Sequence, residues 1–163
     1  MGAYTIETWS DFAVAHAGAA AVLIGLVFVA LSINLRDIVA SQALLDRAIE
    51  SIVLFGIVLV SSTFVLIPGQ EQGVLAGELI ALAVVGAAVV HRLHRTARQA
   101  KAGRTARLSR QALGLAPPAL FLVAGITLAA ETVGGLYWWL GAVLLAYFGA
   151  LTGAWVLLVE VLR

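Results

Sequence analysis

The sequence HRLHRTARQAKAGRTARLSR, residues 91–110, carries a basic residue at every third position from its second residue onward. The seven cations are Arg92, Arg95, Arg98, Lys101, Arg104, Arg107 and Arg110. Long apolar stretches lie on both sides of this segment. Because Lys and Arg in short loops are retained on the cytoplasmic face of a membrane, residues 91–111 predict a basic, helical cytoplasmic loop between two membrane-spanning helices.

The composition supports a membrane protein. Of the 163 residues, 62% are hydrophobic and 12% are charged, whereas soluble domains contain about 45–50% apolar and about 25% charged residues. A soluble chain of this size would expose large apolar patches. The sequence has no cysteine, which excludes disulfides, thiolate metal sites and a cysteine nucleophile.

Five apolar segments approach the roughly 20 residues that a spanning helix needs. We therefore predict one all-α, polytopic transmembrane bundle with spans at about residues 12–35, 49–67, 74–90, 112–130 and 136–162. This threading places all ten cations on one side, including Arg36, Arg47 and Arg163, and the acidic turns on the other. The expected topology is N-out/C-in. The N-terminal segment has no basic region of the kind a signal peptide carries, so we expect it to be an outside-facing anchor.

The fourth segment leaves two interpretations open. Pro117 and Pro118 interrupt it early, and the remaining stretch to Ala130 covers only about 20 Å of helix. Either the helix begins near Ser109 and kinks at the prolines, or a half-helix faces a cavity. The first interpretation agrees better with a cytoplasmic C-terminus.

Glu78 is the ionisable residue placed most clearly inside a predicted span, about 7 Å past Gly73. An ionisable group at such a position indicates an ion path or a proton site. His16 and Glu131 are expected at a similar outer depth, so the three define a candidate ion or proton site. The alternative is that Glu78 lies among the headgroups and reaches water.

Other polar residues have weaker signals. Ser61, Ser62 and Thr63 are pore-lining candidates, although such hydroxyls also bond back to their own helix. His91 and His94 lack a third metal donor, and His16 lies at the opposite membrane face, so we expect no metal, no haem and no other cofactor. The sequence contains none of the common phosphate-binding or hydrolase motifs, and we expect no enzymatic activity.

Small residues recur at four-residue spacing and allow helices to approach closely in lipid. The candidate packing positions are Gly25, Gly73, Gly77, Gly149 and Gly153. They are compatible with self-association and equally with packing inside one subunit.

The basic segment predicts contact with anionic lipids of the cytoplasmic leaflet. A membrane-protein partner is a further possibility. Nucleic acid is not expected, because no aromatic stacking platform accompanies the charge.

The first span, WSDFAVAHAGAAAVLIGLVFVALSINL, resembles that of small bacterial multi-pass integral membrane proteins that carry no assigned function. The resemblance rests on the pattern Trp9, Phe12, Val14, Gly18, Ala21, Leu23, Gly25, Leu26, Phe28 and Val29. It implies a location in the bacterial cytoplasmic (inner) membrane and brings no catalytic or binding residue with it.

These observations favour a small homo-oligomeric transport protein, an ion channel or pore with an acidic outer mouth. The acidic outer turns would concentrate cations there. Two alternatives draw on the same features: a non-enzymatic accessory or scaffold subunit of a larger membrane complex, and an anionic-lipid-binding membrane protein.

Overall fold

The computed structural model describes residues 4–96, 104–132 and 134–161, and this part of the chain is helical and contains no strand. A short 3-10 helix, Ile6–Trp9, leads into α1, Ser10–Ile33. The remaining helices are α2 (Leu35–Ala40), α3 (Gln42–Val65), α4 (Gln72–Thr96), α5 (Arg104–Ala129) and α6 (Leu136–Val161). The prediction of an all-helical protein is confirmed.

Five of the helices are long and apolar enough to cross a membrane. The candidate spans are Ile6–Ile33, Gln42–Val65, Gln72–Arg95, Arg110–Ala129 and Leu136–Leu157. They correspond in number and order to the five predicted segments. The chain is therefore a helical bundle of the multi-pass membrane type.

Helix α3 lies at the centre of the bundle and packs against α1, α4 and α6. In its most apolar window 56% of the residues are buried, against 11% for α1. Helix α5 packs on α4 and α6 and meets α3 at only a few positions. The buried core contains large side chains from the central and later helices, including Phe55, Phe121 and Trp139. Helix α1 thus presents most of its apolar surface outward, as a lipid-facing helix does.

Local backbone geometry sets the helix boundaries. Ser41 is extended, with φ −120° and ψ 109°, and separates α2 from α3. Helix α3 then runs without interruption from Gln42, seven residues before the start of the predicted second span. The α3–α4 connection contains Pro68 and Gly69, where Gly69 has a φ of 68° that only glycine adopts readily.

The proline pair does not divide α5. The helix continues from Arg104 through Pro117 and Pro118 to Ala129, so the half-helix interpretation is replaced by one full-length helix. Pro117 has no N–H to donate to the carbonyl of Leu113. Helix α6 approaches that same carbonyl closely, because a Cβ added at Gly149 would lie 3.2 Å from the Leu113 oxygen.

The two ends of the bundle differ in charge. We call one the acidic end; it comprises the 3-10 helix and the turns at residues 66–71 and 130–135. We call the other the basic end; it comprises α2, the start of α3, the end of α4, the start of α5 and the end of α6. Residues 97–103, which follow α4 and precede α5 in the sequence, lie outside the described residues.

Candidate functional site

A buried cluster of ionisable side chains lies at the basic end, where three helices meet. Glu50 on α3 accepts hydrogen bonds from His94 on α4 and from Arg110 on α5. The His94 Nε2 to Glu50 Oε1 distance is 2.8 Å. The Arg110 Nε and Nη2 atoms lie 3.1 and 2.9 Å from Glu50 Oε2. We call these three residues the Glu50 cluster.

The positions of the three residues in their helices bring them to the same depth in the bundle. Glu50 lies about two turns after the start of α3, His94 lies in the last turn of α4, and Arg110 lies in the second turn of α5. Gly114 follows Arg110 by one helical turn and leaves room for the cluster. A Cβ added at Gly114 would come within 2.8 Å of His94 Cε1 and closer still to Glu50 Oε1.

The cluster balances its charge internally. The side chains of His94 and Glu50 are 4% and 11% exposed, and that of Arg110 is 22% exposed. Moving a carboxylate out of water costs several kcal/mol unless it is paired and hydrogen-bonded. Both oxygens of Glu50 have such partners, and the Arg110 guanidinium supplies the compensating positive charge.

His94 retains one unused atom. Its Nδ1 is buried and has no hydrogen-bond partner among the described residues. Because Nε2 faces a carboxylate oxygen, Nε2 carries a proton in the arrangement that makes this hydrogen bond. Nδ1 is then a buried ring nitrogen whose lone pair faces no described donor.

A cavity of about 280 Å³ adjoins the Glu50 cluster. It lies between α3, α5 and α6, in the space left because α3 and α5 make little direct contact. Its lining combines charged, hydroxyl, glycine and aliphatic residues: Arg47, Glu50, Ser51, Leu54, Arg110, Leu113, Gly114, Gly149, Thr152, Gly153 and Val156. The cluster therefore borders a half-open, partly polar space.

The predicted outer site is not assembled as one unit. His16 packs against Phe12 and Tyr147, with ring-centroid distances of 4.0 and 5.3 Å. No hydrogen bond or ion pair joins His16 to Glu78 or Glu131 in the part of the chain that the structure describes. The main packing partner of α1 is α3, whereas α4 packs chiefly on α5, and a shared site of the three residues stays a prediction.

The two carboxylates keep separate partners at the acidic end. Glu78, which is partly buried, accepts a hydrogen bond from Gln70 in the preceding turn. Glu131 is exposed, has a φ of 50°, and lies 3.5 Å from Gln72 Nε2. Their roles in ion binding stay predictions.

The hydroxyl run of α3 is mainly a packing element within one chain. Ser61 and Ser62 are fully buried, and the Trp139 indole donates a hydrogen bond to Ser61 Oγ at 3.1 Å. Thr63 is exposed and donates to the Leu59 carbonyl at 2.8 Å. Ser61 and Ser62 are thus enclosed within one chain, and the pore-lining role of the three residues stays a prediction.

The seven basic residues of the segment differ in their surroundings. Arg92 and Arg95 are exposed at the end of α4. Arg98 and Lys101 lie outside the described residues, and Arg104 and Arg107 belong to α5, where only their backbone is described. Arg110 differs from the exposed cations, because its Nε and Nη2 atoms donate hydrogen bonds to Glu50 inside the bundle; lipid contact by these residues stays a prediction.

The candidate packing glycines fall into two groups, those packed inside the chain and those on its surface. A Cβ at Gly149 or Gly153 would press against α5 or α3, with Ser51 Oγ only 2.6 Å from the Gly153 position. These two glycines therefore serve packing inside the chain. At Gly25, Gly73 and Gly77 a Cβ would meet nothing within 4 Å, so those surfaces are open to another helix or to lipid.

The described residues contain no group of three histidines or acids that could hold a metal ion. His91, the neighbour of His94 in the sequence pattern, is exposed on α4. The pairing of these two histidines in one site is not observed.

No family model, curated protein or solved structure matches this chain. The site is therefore interpreted from its own geometry.

Sequence reasoning missed the Glu50 cluster. Glu50 appears in the sequence as part of a charged extension of the second span, next to Asp46 and Arg47. The usable signal was depth: Glu50, His94 and Arg110 all fall near the same end of neighbouring spans. What the sequence did not provide was which helices are neighbours, because the partners are separated by 44 and 60 residues.

Proposed function

We propose that the protein is a small ion-transport protein of the bacterial cytoplasmic membrane, with its N-terminus outside and its basic end in the cytoplasm. The ion that suits the site is the proton. The observation that carries this proposal is the Glu50 cluster, a carboxylate and an imidazole that meet at 2.8 Å inside the bundle.

Buried ionisable residues in membrane helices commonly mark ion pathways and proton relays. Here His94 links the Glu50 carboxylate, through Nε2, to a second ring nitrogen that has no described partner. The adjoining half-open cavity of about 280 Å³ connects the cluster to the protein surface at the basic end. Glu50 and Arg110 line this cavity, so in this proposal a proton that enters from the basic end first reaches Glu50 and then its hydrogen-bond partner His94.

The acidic end supplies the other half of the proposal. Exposed carboxylates at Glu7, Asp11, Glu71 and Glu131 lie there, and a surface of one charge sign raises the local concentration of cations. Glu78 lies partly buried behind them. In this proposal Glu78 supports ion entry, and the Glu50 cluster exchanges the proton.

Self-association is part of the proposal. The α4 face formed by Gly73, Gly77 and Ala81 is exposed, and nothing lies within 4 Å of a Cβ placed at either glycine. Small residues at this spacing let a second helix approach closely in lipid. A homo-oligomer assembled through this face would surround the path with more helices than one chain supplies.

The decisive experiment is proton flux into liposomes containing the purified full chain, followed with an enclosed pH-sensitive dye. The key variant is His94→Gln, because glutamine can still donate a hydrogen bond to Glu50 but does not titrate. The matched control is His91→Gln, an exposed histidine on the same helix. We expect His94→Gln to lower flux to that of protein-free liposomes and His91→Gln to leave it unchanged.

Glu78→Gln forms a second arm of this experiment, with Glu71→Gln as its control. We expect Glu78→Gln to reduce flux partially, because the residue is partly exposed and its loss leaves the Glu50 cluster intact. Wild-type flux that is indistinguishable from protein-free liposomes, with folded protein in both orientations, would refute the transport proposal. Flux that is unaffected by His94→Gln would remove the cluster from the path.

The open face on α4 also favours a second candidate function, that of an accessory subunit which docks against a different membrane protein. Gly77→Ile distinguishes the two, because it blocks helix approach on that face. Loss of a self-complex after mild solubilisation supports the homo-oligomer. Loss of a defined heteromeric partner, with no self-complex in wild type, supports the accessory subunit.

A further inference from the structure

The charged side chains that line the cavity beside the Glu50 cluster do not cancel: there are more positive groups than negative ones. Two guanidinium groups, Arg47 and Arg110, and one carboxylate, Glu50, line it. Glu50 uses both of its oxygens on His94 and Arg110. No hydrogen bond or ion pair to a described residue engages Arg47, or the Nη1 atom of Arg110, so the space carries an excess positive charge.

We propose that this cavity binds one phosphate group, supplied by the headgroup of an anionic membrane lipid. Guanidinium groups recognise phosphate through charge-assisted, often bidentate hydrogen bonds. Arg47 and the free side of Arg110 are the groups that recognise it. The proposal concerns the same cavity as the proposed proton entry, but its test measures lipid binding and does not require proton transport.

The hydroxyl groups of the cavity do not compete for this role. Ser51 Oγ donates to the Ala150 carbonyl at 3.1 Å. Thr152 Oγ1 lies 2.9 Å from the Phe148 carbonyl and 2.8 Å from that of Gly149. Their protons are directed at helix carbonyls, which leaves anion recognition to the two guanidinium groups.

The shape of the cavity fits an amphiphile. From the cationic residue Arg47 to the aliphatic residue Leu54 there are seven residues on α3, or about 10 Å along the helix. Leu113 and Val156 continue the apolar part of the lining. A volume of about 280 Å³ is near the lower limit of small-molecule pockets, about 300 Å³, and suits a headgroup together with the first part of its acyl chains.

The position along the bundle also fits a headgroup. Arg110 is the first residue of the fourth candidate span, and Arg47 lies in the second turn of the helix that forms the second. Both therefore lie near the end of the apolar region, where phosphates of a bilayer are found. Cations at this depth attract anionic lipid by about 1 kcal/mol each even without a shaped site, so the test has to separate a built site from general attraction.

The test is retention of phosphatidylglycerol by the full chain in neutral detergent, measured as one-lipid adducts by native mass spectrometry. Phosphatidylcholine is the lipid of zero net charge. The principal variant is Arg47→Gln, and Arg92→Gln is its matched control, since Arg92 is exposed at the same end and does not line the cavity. Val156→Phe fills the apolar part without changing the charge.

We expect one phosphatidylglycerol per chain, weakened about tenfold by Arg47→Gln, the scale of one charge-assisted hydrogen bond. Val156→Phe should also weaken retention, while Arg92→Gln should not. Equal effects of Arg47→Gln and Arg92→Gln, or retention that Val156→Phe leaves unchanged, would overturn the proposal. His94→Gln should retain the lipid, so failure of proton transport and failure of lipid binding remain distinguishable.

Inorganic phosphate separates the two sources of the anion. Displacement of the lipid by inorganic phosphate in wild type, reduced in Arg47→Gln, supports the phosphate site and assigns it to a soluble anion. Retention that inorganic phosphate does not alter assigns the site to lipid. Equal retention of phosphatidylcholine and phosphatidylglycerol would contradict recognition of an anionic headgroup.

Discussion

The two ends of the bundle are held together by different means. At the basic end, α3, α4 and α5 are joined by ionic hydrogen bonds through Glu50. At the acidic end, the 3-10 helix that leads into α1 is joined to α6 by aromatic rings: Trp9 contacts Tyr137 and Trp139 at centroid distances of 5.1 and 6.1 Å. Directional charge pairing thus connects one set of helices at the basic end, and edge-to-face ring packing connects a different set at the acidic end.

The difference has a functional meaning. Rings packed edge to face bury apolar surface in a defined geometry. Ionic hydrogen bonds place a carboxylate and an imidazole in an environment from which water is largely excluded. The basic end therefore joins its helices through buried ionisable side chains, whereas the acidic end joins them through ring packing.

The largest effect is expected when the basic end is broken. Glu50→Gln removes the charge that compensates Arg110, and disruption of one partner of a buried pair costs about 3 kcal/mol. We expect that loss in the free energy of unfolding, measured by denaturant titration in mixed micelles. The double variant Glu50→Gln, Arg110→Gln should recover part of it, because no uncompensated charge remains.

Glu71→Gln provides the control for Glu50→Gln, since Glu71 is exposed in the α3–α4 turn. An equal loss in both variants, or a double variant whose loss is the sum of the single ones, would show that the Glu50 cluster is not a coupled unit.

At the acidic end the corresponding change is Trp139→Phe. The substitution leaves a smaller ring and removes the indole N–H that bonds Ser61, which together should cost about 2 kcal/mol. Trp138→Phe is the matched control, because Trp138 is 40% exposed whereas Trp139 is fully buried. Thermal unfolding followed by near-ultraviolet circular dichroism would measure both, and equal shifts would contradict a specific role for Trp139.

Substitutions of two glycines of α5 should have smaller effects on stability, and they compare a backbone contact with a side-chain contact. A Cβ at Gly125 would lie 2.8 Å from the Ala76 backbone carbonyl, whereas at Gly114 it would meet the side chains of Glu50 and His94. Backbone yields less than side chains, so Gly125→Ala should cost about 2 kcal/mol and Gly114→Ala about 1 kcal/mol. Gly77→Ala, which meets nothing within 4 Å, should be neutral or slightly stabilising. Chemical denaturation would measure the three losses in the free energy of unfolding. A larger loss for Gly114→Ala than for Gly125→Ala would contradict the idea that the close backbone contact between α4 and α5 cannot yield.

The sequence was sufficient to predict where the helices lie along the chain, but not which helices pack against each other. Apolar length and the prolines and glycines located the five long helices, because these properties are local. The proline pair of α5 was the main local ambiguity. It is resolved by packing, since α6 approaches the Leu113 carbonyl that Pro117 leaves without its helical donor.

The candidate site depended on non-local information. His16 was expected beside Glu78 because both lie at the outer depth, yet depth alone does not specify which helices touch. Glu50 was available in the sequence with two partners at matching depth, but its pairing required the α3–α4 and α3–α5 contacts. A hydrogen bond between residues 60 positions apart has no periodic signature.

The contact between the first and last long helices has a consequence for biosynthesis. Tyr147 on α6 donates a hydrogen bond to the His16 carbonyl of α1 at 2.8 Å, across 131 residues. During translation α1 therefore enters the bilayer long before this partner exists. The hydrogen bond between Tyr147 and His16 therefore forms only after α6 has been synthesised, whereas the packing of α1 on α3 does not require α6.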